Sequence, residues 1–398
     1  VIPSWREWVL KLFPKVKSDI VHNYEMLRTG RTKYLKRRGK NFEWQLNRDL
    51  CLLIFDEDHR CKNPKSLNAK MLMASKRQGY KVLMLGATSC SSPLDMKALG
   101  YVLGLHIGKD YYKWCLDNCC TKKMWGGLEY KPSTDHLGHL HDMIYSQKGS
   151  RIRIKDLPEG TFPDNLIMAD PYCLDCPNDT SDIDYHYAEI ATLMEKELSE
   201  LAEKVEEDEE YAMTEILRAR QEIELLKVPI FVELIDTEVQ AGNSVVVFMN
   251  FKLTQSAIME RLEDLGPRDM RGFGPFTEET VSTISGDQTS DEREKSVADF
   301  QANRSKVMLA MIQAGGVGLD LHDVHGGHPR ISLMSPSYSA IDLKQALGRV
   351  HRSGGKSPAI QKLIFIKGTV EESVCEAVRA KLNNIAMIND KDVTPCGI

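Results

Sequence analysis

The stretch Cys51-Leu-Leu-Ile-Phe-Asp-Glu-Asp-His59 decides the fold class of this chain of 398 residues. Five apolar residues run without interruption into acids, and such a run is typical of a strand buried in a parallel sheet. Lys81-Val-Leu-Met-Leu85 repeats the pattern, and a loop of small residues follows it. Apolar strands that alternate with helical stretches predict an α/β fold.

The same alternation returns in the last third of the chain. Five more apolar runs predict strands there: Ser244–Met249, Val281–Ile284, Val307–Ile312, Arg330–Met334 and Gln361–Ile366. Between the two regions, residues 181–227 repeat apolar residues at helical spacing, with an acidic run at 206–210. We therefore predict a first parallel-sheet domain at 1–106, an irregular and helical linker with acidic helices at 107–227, and a second parallel-sheet domain at 228–398.

Composition excludes several classes of protein. Hydrophobic residues make up 42% of the chain, charged residues 27%, and the net charge is −5, which describes an ordinary globular protein. No apolar run is long enough to span a membrane, and no secretory signal opens the chain. We expect an intracellular, reducing location, in the nucleus or at a viral or cytoplasmic replication site, and not secretion. A basic cluster from Arg28 to Lys40 is compatible with phosphate-backbone binding.

One group of thiols and imidazoles has the chemistry of a zinc site. Its members are Cys115, Cys119, Cys120, His136, His139, His141, Cys173 and Cys176. Their spacing matches no familiar zinc module and contains one tight Cys-x-x-Cys pair. Zinc is therefore the less favoured interpretation, and buried or incidental thiols are the favoured one.

Asp56, Glu57 and His59 directly follow the first predicted strand. Ligands of open parallel sheets collect at the carboxyl ends of the strands. Asp56 there could position Mg²⁺, while Glu57 orients and deprotonates a water, and His59 hydrogen-bonds toward a phosphate or the other domain. The alternative is a helix N-terminus whose acids favour the helix dipole.

Gln345-Ala-Leu-Gly-Arg349-Val-His-Arg352 sets two arginines three residues apart, behind a glutamine. We expect Arg349 and Arg352 on one face of a helix, where they could clamp the charge of a transferring phosphoryl group. A solvated basic helix end is the alternative. Upstream, the glycines of 314–321 follow a predicted strand and allow backbone amides to approach phosphates, although a tight turn would need the same glycines. Asp320 could stabilise that loop or contact a ribose.

In this order the segments resemble the motifs of superfamily 2 helicases and translocases, specifically of their Swi/Snf-like branch. Residues 53–63, with His-Arg-x-Lys-Asn after Asp-Glu, are similar to motif II of that branch, residues 315–321 to motif V, and residues 345–352 to motif VI. Weaker likenesses to motifs Ia, Ib, III and IV lie at 1–8, 23–27, 86–88 and 245–250. The resemblance covers about residues 1–377.

The resemblance implies two RecA-like lobes, the first truncated at its N-terminus, that use ATP and Mg²⁺. Asp56 would bind the metal, and Glu57 would contact it through a water. Arg349 and Arg352 would be the catalytic residues of the second lobe, with Arg352 as the arginine finger. The nucleotide would also contact His59, Gly316, Gly318, Asp320 and Gln345. The nucleic-acid strand would be contacted, mostly through phosphates, by Pro3, Ser4, Tyr24, Asn250 and Gly315.

Proteins of the Swi/Snf-like branch typically move along duplex DNA without separating its strands, so the resemblance implies an ATP-dependent DNA translocase. The chain has no Gly-x-x-x-x-Gly-Lys-Ser/Thr loop of motif I, since the triplet Gly355-Lys-Ser357 has Val350 where that loop needs its first glycine. Ser89-Cys90 stands where motif III commonly has proline. We therefore expect ATP hydrolysis from the full-length protein and none from these 398 residues alone. An RNA-directed DExH helicase is one alternative; a non-catalytic fragment that binds nucleic acid or a protein partner is another.

Overall fold

The structure, a computed structural model, describes residues 2–15, 20–86, 90–124, 126–130, 134–146, 148–172, 221–265, 276–277, 279–312, 319–336 and 339–366, with the short pieces 375–376, 379–380 and 382–383. Contacts within the chain divide it into two units. The first is Val1–Arg153 with Asn383–Thr394, and the second is Ile154–Leu382 with Pro395–Ile398. The predicted α/β class, with parallel strand pairing in each unit, is confirmed.

The first unit pairs its two predicted strands in parallel. These are β3 (Leu52–Asp56) and β4 (Lys81–Leu85), and their register sets Asp56 opposite Leu85. Two antiparallel hairpins accompany them: β1 (Leu35–Arg38) with β2 (Asn41–Trp44), and β5 (Cys120–Lys122) with β6 (Leu128–Tyr130). The helices of this unit are α1 (Ile2–Leu12), α2 (Tyr24–Arg28), α3 (Leu67–Arg77), α4 (Met96–Leu103), α5 (Tyr111–Asp117) and α6 (Thr134–Tyr145).

Strand β3 differs from its prediction in being buried on one face only within the described part of the unit. Leu53 and Phe55 are buried, whereas Leu52 and Ile54 are each 53% exposed. The buried side chains join a core that α3 and α4 also supply through Met71, Leu72 and Leu99. The apolar run therefore predicted the strand correctly but overstated its burial.

The segment that resembles motif Ia also differs from expectation. In the family that the chain resembles, this motif has a Pro-Ser turn after a strand, whereas Pro3 and Ser4 lie in helix α1, residues 2–12. Proline is tolerated in the first turn of a helix, where its missing N–H would have no partner anyway. The backbone of both residues therefore lies at the start of a helix.

The second unit contains one six-stranded sheet with the order β7-β12-β11-β8-β10-β9, and every pair in it is parallel. Its strands are β7 (Asn165–Tyr172), β8 (Ser244–Met249), β9 (Val281–Ile284), β10 (Val307–Met311), β11 (Arg330–Met334) and β12 (Ala359–Ile366). Its helices are α7 (Val228–Gln240), α8 (Lys252–Asp264), α9 (Ser290–Gln301) and α10 (Ala340–Val350). Strand β8 is buried along its whole length, as a central parallel strand should be.

Strand β7 belongs to the region that the sequence predicts as a linker. It pairs in parallel with β12 from Asn165↔Ala359 to Tyr172↔Ile366, so this part of the linker is an edge of the second sheet. The region also contains the helices α5 and α6 and the β5–β6 hairpin. The predicted acidic helices fall largely on residues 173–220, which lie outside the described part of the chain. The domain boundaries at 106 and 227 stay a prediction.

Candidate functional site

The acids that follow β3 lie at the carboxyl end of a parallel strand, where the sequence predicts them. Asp56 is the last residue of β3, and a 3-10 helix begins at Asp58. Glu57 joins the two with φ 51° and ψ 56°, in the left-handed region. A non-glycine residue there costs on the order of 1–2 kcal/mol, and such strain is concentrated at functional sites.

Asp56 contacts side chains from both segments upstream of it. Its carboxylate Oδ2 accepts a hydrogen bond from Trp5 Nε1 at 2.7 Å, and its backbone carbonyl accepts one from the Tyr24 hydroxyl at 2.8 Å. Burial raises the pKa of Tyr24, so its phenol keeps the proton that it donates. The segments predicted as motifs Ia, Ib and II therefore meet around Asp56.

Side-chain contacts hold the 3-10 helix after Glu57. His59 Nδ1 lies 3.3 Å from Glu57 Oε2, and Arg60 Nη2 lies 2.8 Å from Glu25 Oε1. The Arg60 guanidinium also lies over the Tyr24 ring, 5.2 Å from its centroid. These contacts bring Glu57 and His59 together and hold α2 against them.

In the second unit, α10 holds two predicted site residues on one face. The helix begins after Ser339, whose Oγ accepts from the backbone N–H of Asp342 at 3.2 Å. Gln345 and Arg349 are four residues apart and so share a face, and Arg349 is 8% exposed. Gln345 and Arg349 therefore lie on the same side of α10, and Arg349 is buried there.

Arg352 does not share that face, and this corrects the prediction of one helical face for both arginines. The helix ends at Val350, and His351 is extended, with φ −108° and ψ 105°. The His351 ring explains the change, because its Nε2 lies 2.9 Å from the carbonyl oxygen of Pro163 and its centroid lies 5.1 Å from that of Phe162. The preceding segment of the second unit therefore redirects the chain before Arg352.

The structure joins the segments that resemble motifs V and VI. Arg352 Nη1 donates to Asp320 Oδ1 and, at 3.3 Å, to the carbonyl oxygen of Leu319. The backbone N–H of Leu321 donates to the carbonyl oxygen of Arg349 at 3.0 Å. The Arg352 and Asp320 side chains are 39% and 57% exposed, so the pair lies where a ligand can reach it.

Asn250 contacts a buried acid that the sequence did not reveal. Glu224 is 3% exposed, and its carboxylate accepts from Asn250 Nδ2 at 2.8 Å and from the backbone N–H groups of Asn250 and Phe251 at 3.0–3.1 Å. Phe251 precedes α8, so Glu224 acts as a remote N-terminal cap. A nucleic-acid contact of Asn250 stays a prediction.

Asp323 is a second buried acid that the sequence did not reveal. It accepts from Ser357 Oγ at 2.6 Å and from the backbone N–H groups of His325, Gly326 and His328 at 2.9–3.1 Å. Burial alone would raise the pKa of Asp323, but these hydrogen bonds outweigh it and lower the pKa. Its one sequence signal is the Asp-x-x-Gly-Gly pattern of a turn.

Other predicted residues lie outside what the structure describes. Pro3 and Ser4 are in α1, but their side chains are not described. Gly315, Gly316 and Gly318 are outside the described residues, as are Ala87 and Thr88 of the motif III likeness. Their roles stay predictions.

Within the described residues, no three histidine, cysteine, aspartate or glutamate side chains are grouped so that they could hold a metal ion. Cys115 and Cys120 are buried free thiols, and burial raises the pKa of Cys120 to about 12. Cys173 and Cys176 lie outside the described residues. In the same part of the chain, no helix combines the length and apolar character needed to cross a membrane.

Comparison with known proteins identifies the family of the second unit. The sequence profile of the family described as "Helicase conserved C-terminal domain" matches residues 226–354. That range contains the predicted residues of the second unit, which are Asn250, Gly315, Gly316, Gly318, Asp320, Gln345, Arg349 and Arg352.

Two relatives match nearly the whole chain. It is 35% identical to "Putative ATP-dependent RNA helicase L364" of Acanthamoeba polyphaga mimivirus, across 99% of this chain and 74% of that protein. It is 23% identical to the SWI/SNF-related matrix-associated actin-dependent regulator of chromatin subfamily A-like protein 1 of Drosophila melanogaster, across 95% of this chain but 47% of that one. Among solved structures, the C-terminal part of the Fun30 ATPase domain aligns with 58% of this chain, with 12% identity and a TM-score of 0.38.

Proposed function

The chain belongs to the superfamily 2 helicases, in their Swi/Snf-like branch, and from this membership we propose that it is part of an ATP-dependent motor that moves along duplex DNA. ATP hydrolysis would drive movement along the phosphate backbone without preference for sequence. Such a motor works where DNA is handled, in the nucleus or at a viral replication site.

The contact between Arg352 and Asp320 carries the proposal. Arginine has five N–H donors, and both bonds of this guanidinium to described residues use Nη1. The other N–H groups of this partly exposed guanidinium donate to no described residue, and we propose that they bind an anion. A positioned arginine of this kind can stabilise the charge that develops on a transferring phosphoryl group.

The first unit contains a carboxylate that we propose as a magnesium ligand. Mg²⁺ is usually bound by one or two carboxylates together with substrate phosphates, and Asp56 supplies such a carboxylate at the end of β3. Trp5 occupies Oδ2, which makes Oδ1 the proposed metal ligand. A bound Mg²⁺ would neutralise charge on the phosphates. Glu57, beside His59, would orient a water and accept its proton.

The test of the arginine finger is Arg352→Ala in the full-length protein. We expect ATP turnover to fall about 1,000-fold or more, within the range found for arginine fingers. Arg352→Lys should fail as well, because an ammonium cannot reproduce the planar fork. Arg304→Ala is a matched control, since Arg304 forms a partly exposed pair with Asp299 in the same unit. Normal turnover by Arg352→Ala in a folded protein would overturn the proposal.

A second experiment tests which nucleic acid the protein moves along. It measures how strongly duplex DNA, single-stranded DNA and RNA, at equal nucleotide concentrations, stimulate ATP hydrolysis. We expect duplex DNA to stimulate most. The alternative is an RNA-directed helicase, which the name of the mimivirus relative favours. Stronger stimulation by RNA than by either form of DNA would select that alternative.

A further inference from the structure

The segment from Arg28 to Lys40 has a charge opposite to that of the whole chain. Seven of its thirteen residues are lysine or arginine and none is acidic, whereas the chain has a net charge of −5. Strand β1 lies inside it and has the burial pattern of one buried residue, Leu35, followed by three exposed ones. Four of these seven cations therefore lie on the β1–β2 hairpin, and the other three directly precede it.

The hairpin has a tight turn and a rigid base. Gly39, with φ 62°, begins the two-residue loop between Arg38 and Asn41, where a left-handed residue matches the twist of the strands. At the base, Phe42 and Trp44 are buried. Gln78 accepts from the Trp44 backbone N–H at 2.9 Å and donates to the Phe42 carbonyl at 2.8 Å. The exposed charges are thus presented by a fixed framework.

The ladder sets two cations directly opposite each other. Arg31 and Lys36 form an antiparallel bridge, and both are exposed. The close approach depends on Gly30, because a Cβ at that position would lie 2.2 Å from the Arg37 Cβ. Like charges that face each other across strands are destabilising, so this arrangement has a cost that a bound anion would remove.

Their partners divide six of the seven cations of residues 28–40 into two sets, and the seventh, Lys33, lies over the Tyr34 ring, 4.9 Å from its centroid. Arg28 pairs with Glu25 at 3.1 Å and Arg38 with Glu43 at 3.4 Å, while the Arg37 guanidinium donates to backbone carbonyl oxygens. The second set is Arg31, Lys36 and Lys40. No carboxylate of the described residues pairs with this second set.

We propose that the β1–β2 hairpin, through Lys36, Lys40 and the Arg31 that is bridged to Lys36, binds the phosphate backbone of the DNA duplex. The inference rests on the proposed function, which supplies the duplex, and adds a contact that lies outside all of the helicase-like motifs. Helix α2, of the motif Ib likeness, directly precedes the hairpin, and its Arg28 carbonyl accepts from Arg37 Nη1 at 3.2 Å. The hairpin would therefore extend the surface that begins at α2.

The test compares three variants of the full chain, each carrying three substitutions. Arg31→Gln with Lys36→Gln and Lys40→Gln removes the charges of the second set. Lys109→Gln with Lys113→Gln and Lys123→Gln removes three exposed charges elsewhere in the same unit. Arg31→Lys with Lys36→Arg and Lys40→Arg keeps the charge of the hairpin. Fluorescence anisotropy with a labelled duplex of about 30 base pairs, at several salt concentrations, gives the slope of log K against log salt for each.

Each lost phosphate contact should reduce that slope by about 0.9, so the hairpin variant should lose about 2–3 units of slope. We expect the charge-keeping variant and the distant control to retain the slope of the unchanged protein. All substituted side chains are exposed, and thermal unfolding checks that each variant is folded.

The outcomes separate the inference from the proposed function. If the unchanged protein binds duplex DNA and the hairpin variant behaves like the distant control, the inference is wrong and the proposed function stands. If the unchanged protein does not bind duplex DNA, both are wrong. A loss of slope with an RNA duplex but not with DNA would also overturn the assignment.

Discussion

Trp5 and Asp56, 51 residues apart, are joined by a 2.7 Å hydrogen bond from the indole N–H to Oδ2. The bond fixes the rotamer of the carboxylate that ends β3. It also ties α1 to that strand by a polar contact, although α1 has exposed apolar side chains such as Trp8 and Leu12.

Trp5→Phe should lower the free energy of unfolding of the first unit by about 1–2 kcal/mol, because the charged oxygen loses a partly buried donor. Urea unfolding followed by circular dichroism measures the change. Trp8→Phe is the matched control, since Trp8 lies in the same helix and is 53% exposed. Equal effects of the two substitutions would contradict a specific role for the Trp5 hydrogen bond.

Glu57 has a backbone conformation that glycine adopts without strain. We expect Glu57→Gly to be more stable than Glu57→Ala by about 1 kcal/mol, because alanine keeps the Cβ that is strained at φ 51°. Both substitutions should abolish ATP turnover of the full-length protein, since both remove the carboxylate. Thermal unfolding and an ATPase assay check the two parts. An alanine variant as stable as the glycine variant would show that the left-handed conformation costs nothing.

Glu224 is expected to stabilise the second unit by several kcal/mol. Glu224→Ala leaves two backbone N–H groups and the Asn250 amide without their acceptor, at about 1–3 kcal/mol for each buried group. Guanidinium unfolding should show a loss of at least about 2 kcal/mol. Glu233→Ala, an exposed acid of α7, controls for the loss of one negative charge. A loss no larger than that of the control would contradict the capping role.

His322 should make the second unit less stable as the pH falls. Burial lowers the pKa of this imidazole, which Asp320 opposes and Arg352 reinforces. Because the folded pKa is below the unfolded value of about 6.5, the stabilisation is complete above pH 6.5 and is lost as the pH falls through the folded pKa.

The measurement is urea unfolding between pH 7.5 and pH 5. His322→Gln should reduce the slope of stability against pH, by at most about 1.4 kcal/mol per pH unit. His325→Gln, an exposed neighbour, is the control. An unchanged slope in the His322 variant would contradict the assignment.

The strands were the most predictable part of the fold, because central strands such as β8 and β10 consist almost wholly of apolar residues. Ser244–Met249 and Arg330–Met334 have the bounds that the sequence predicts. Strand β7 was missed because it lies at the sheet edge and contains Asp170 and Pro171, which interrupt an apolar run. Its place depends on pairing with β12, a contact that local patterns do not encode.

The candidate site was predictable in its position more than in its contacts. Asp56 and Glu57 lie at the end of β3 because acids directly follow an apolar run. The expectation that Arg352 shares a helical face with Arg349 was wrong, because the helix ends at Val350, where His351 contacts Pro163, 188 residues upstream. Its pairing with Asp320, 32 residues away, likewise depends on how the loop before β11 meets the end of α10.

The hydrogen bonds that Glu224 accepts bear on where the chain can be truncated to express the second domain separately. A piece that starts at residue 228, the predicted boundary, would contain α8 but not the carboxylate that caps it, and it would also lose β7, the neighbour of β12. Starting instead at Ile154, where the contacts divide the chain, keeps both. The two starting points are about 70 residues apart, and we expect the longer piece to be the more stable one, because it keeps the Glu224 carboxylate with the N–H groups that donate to it.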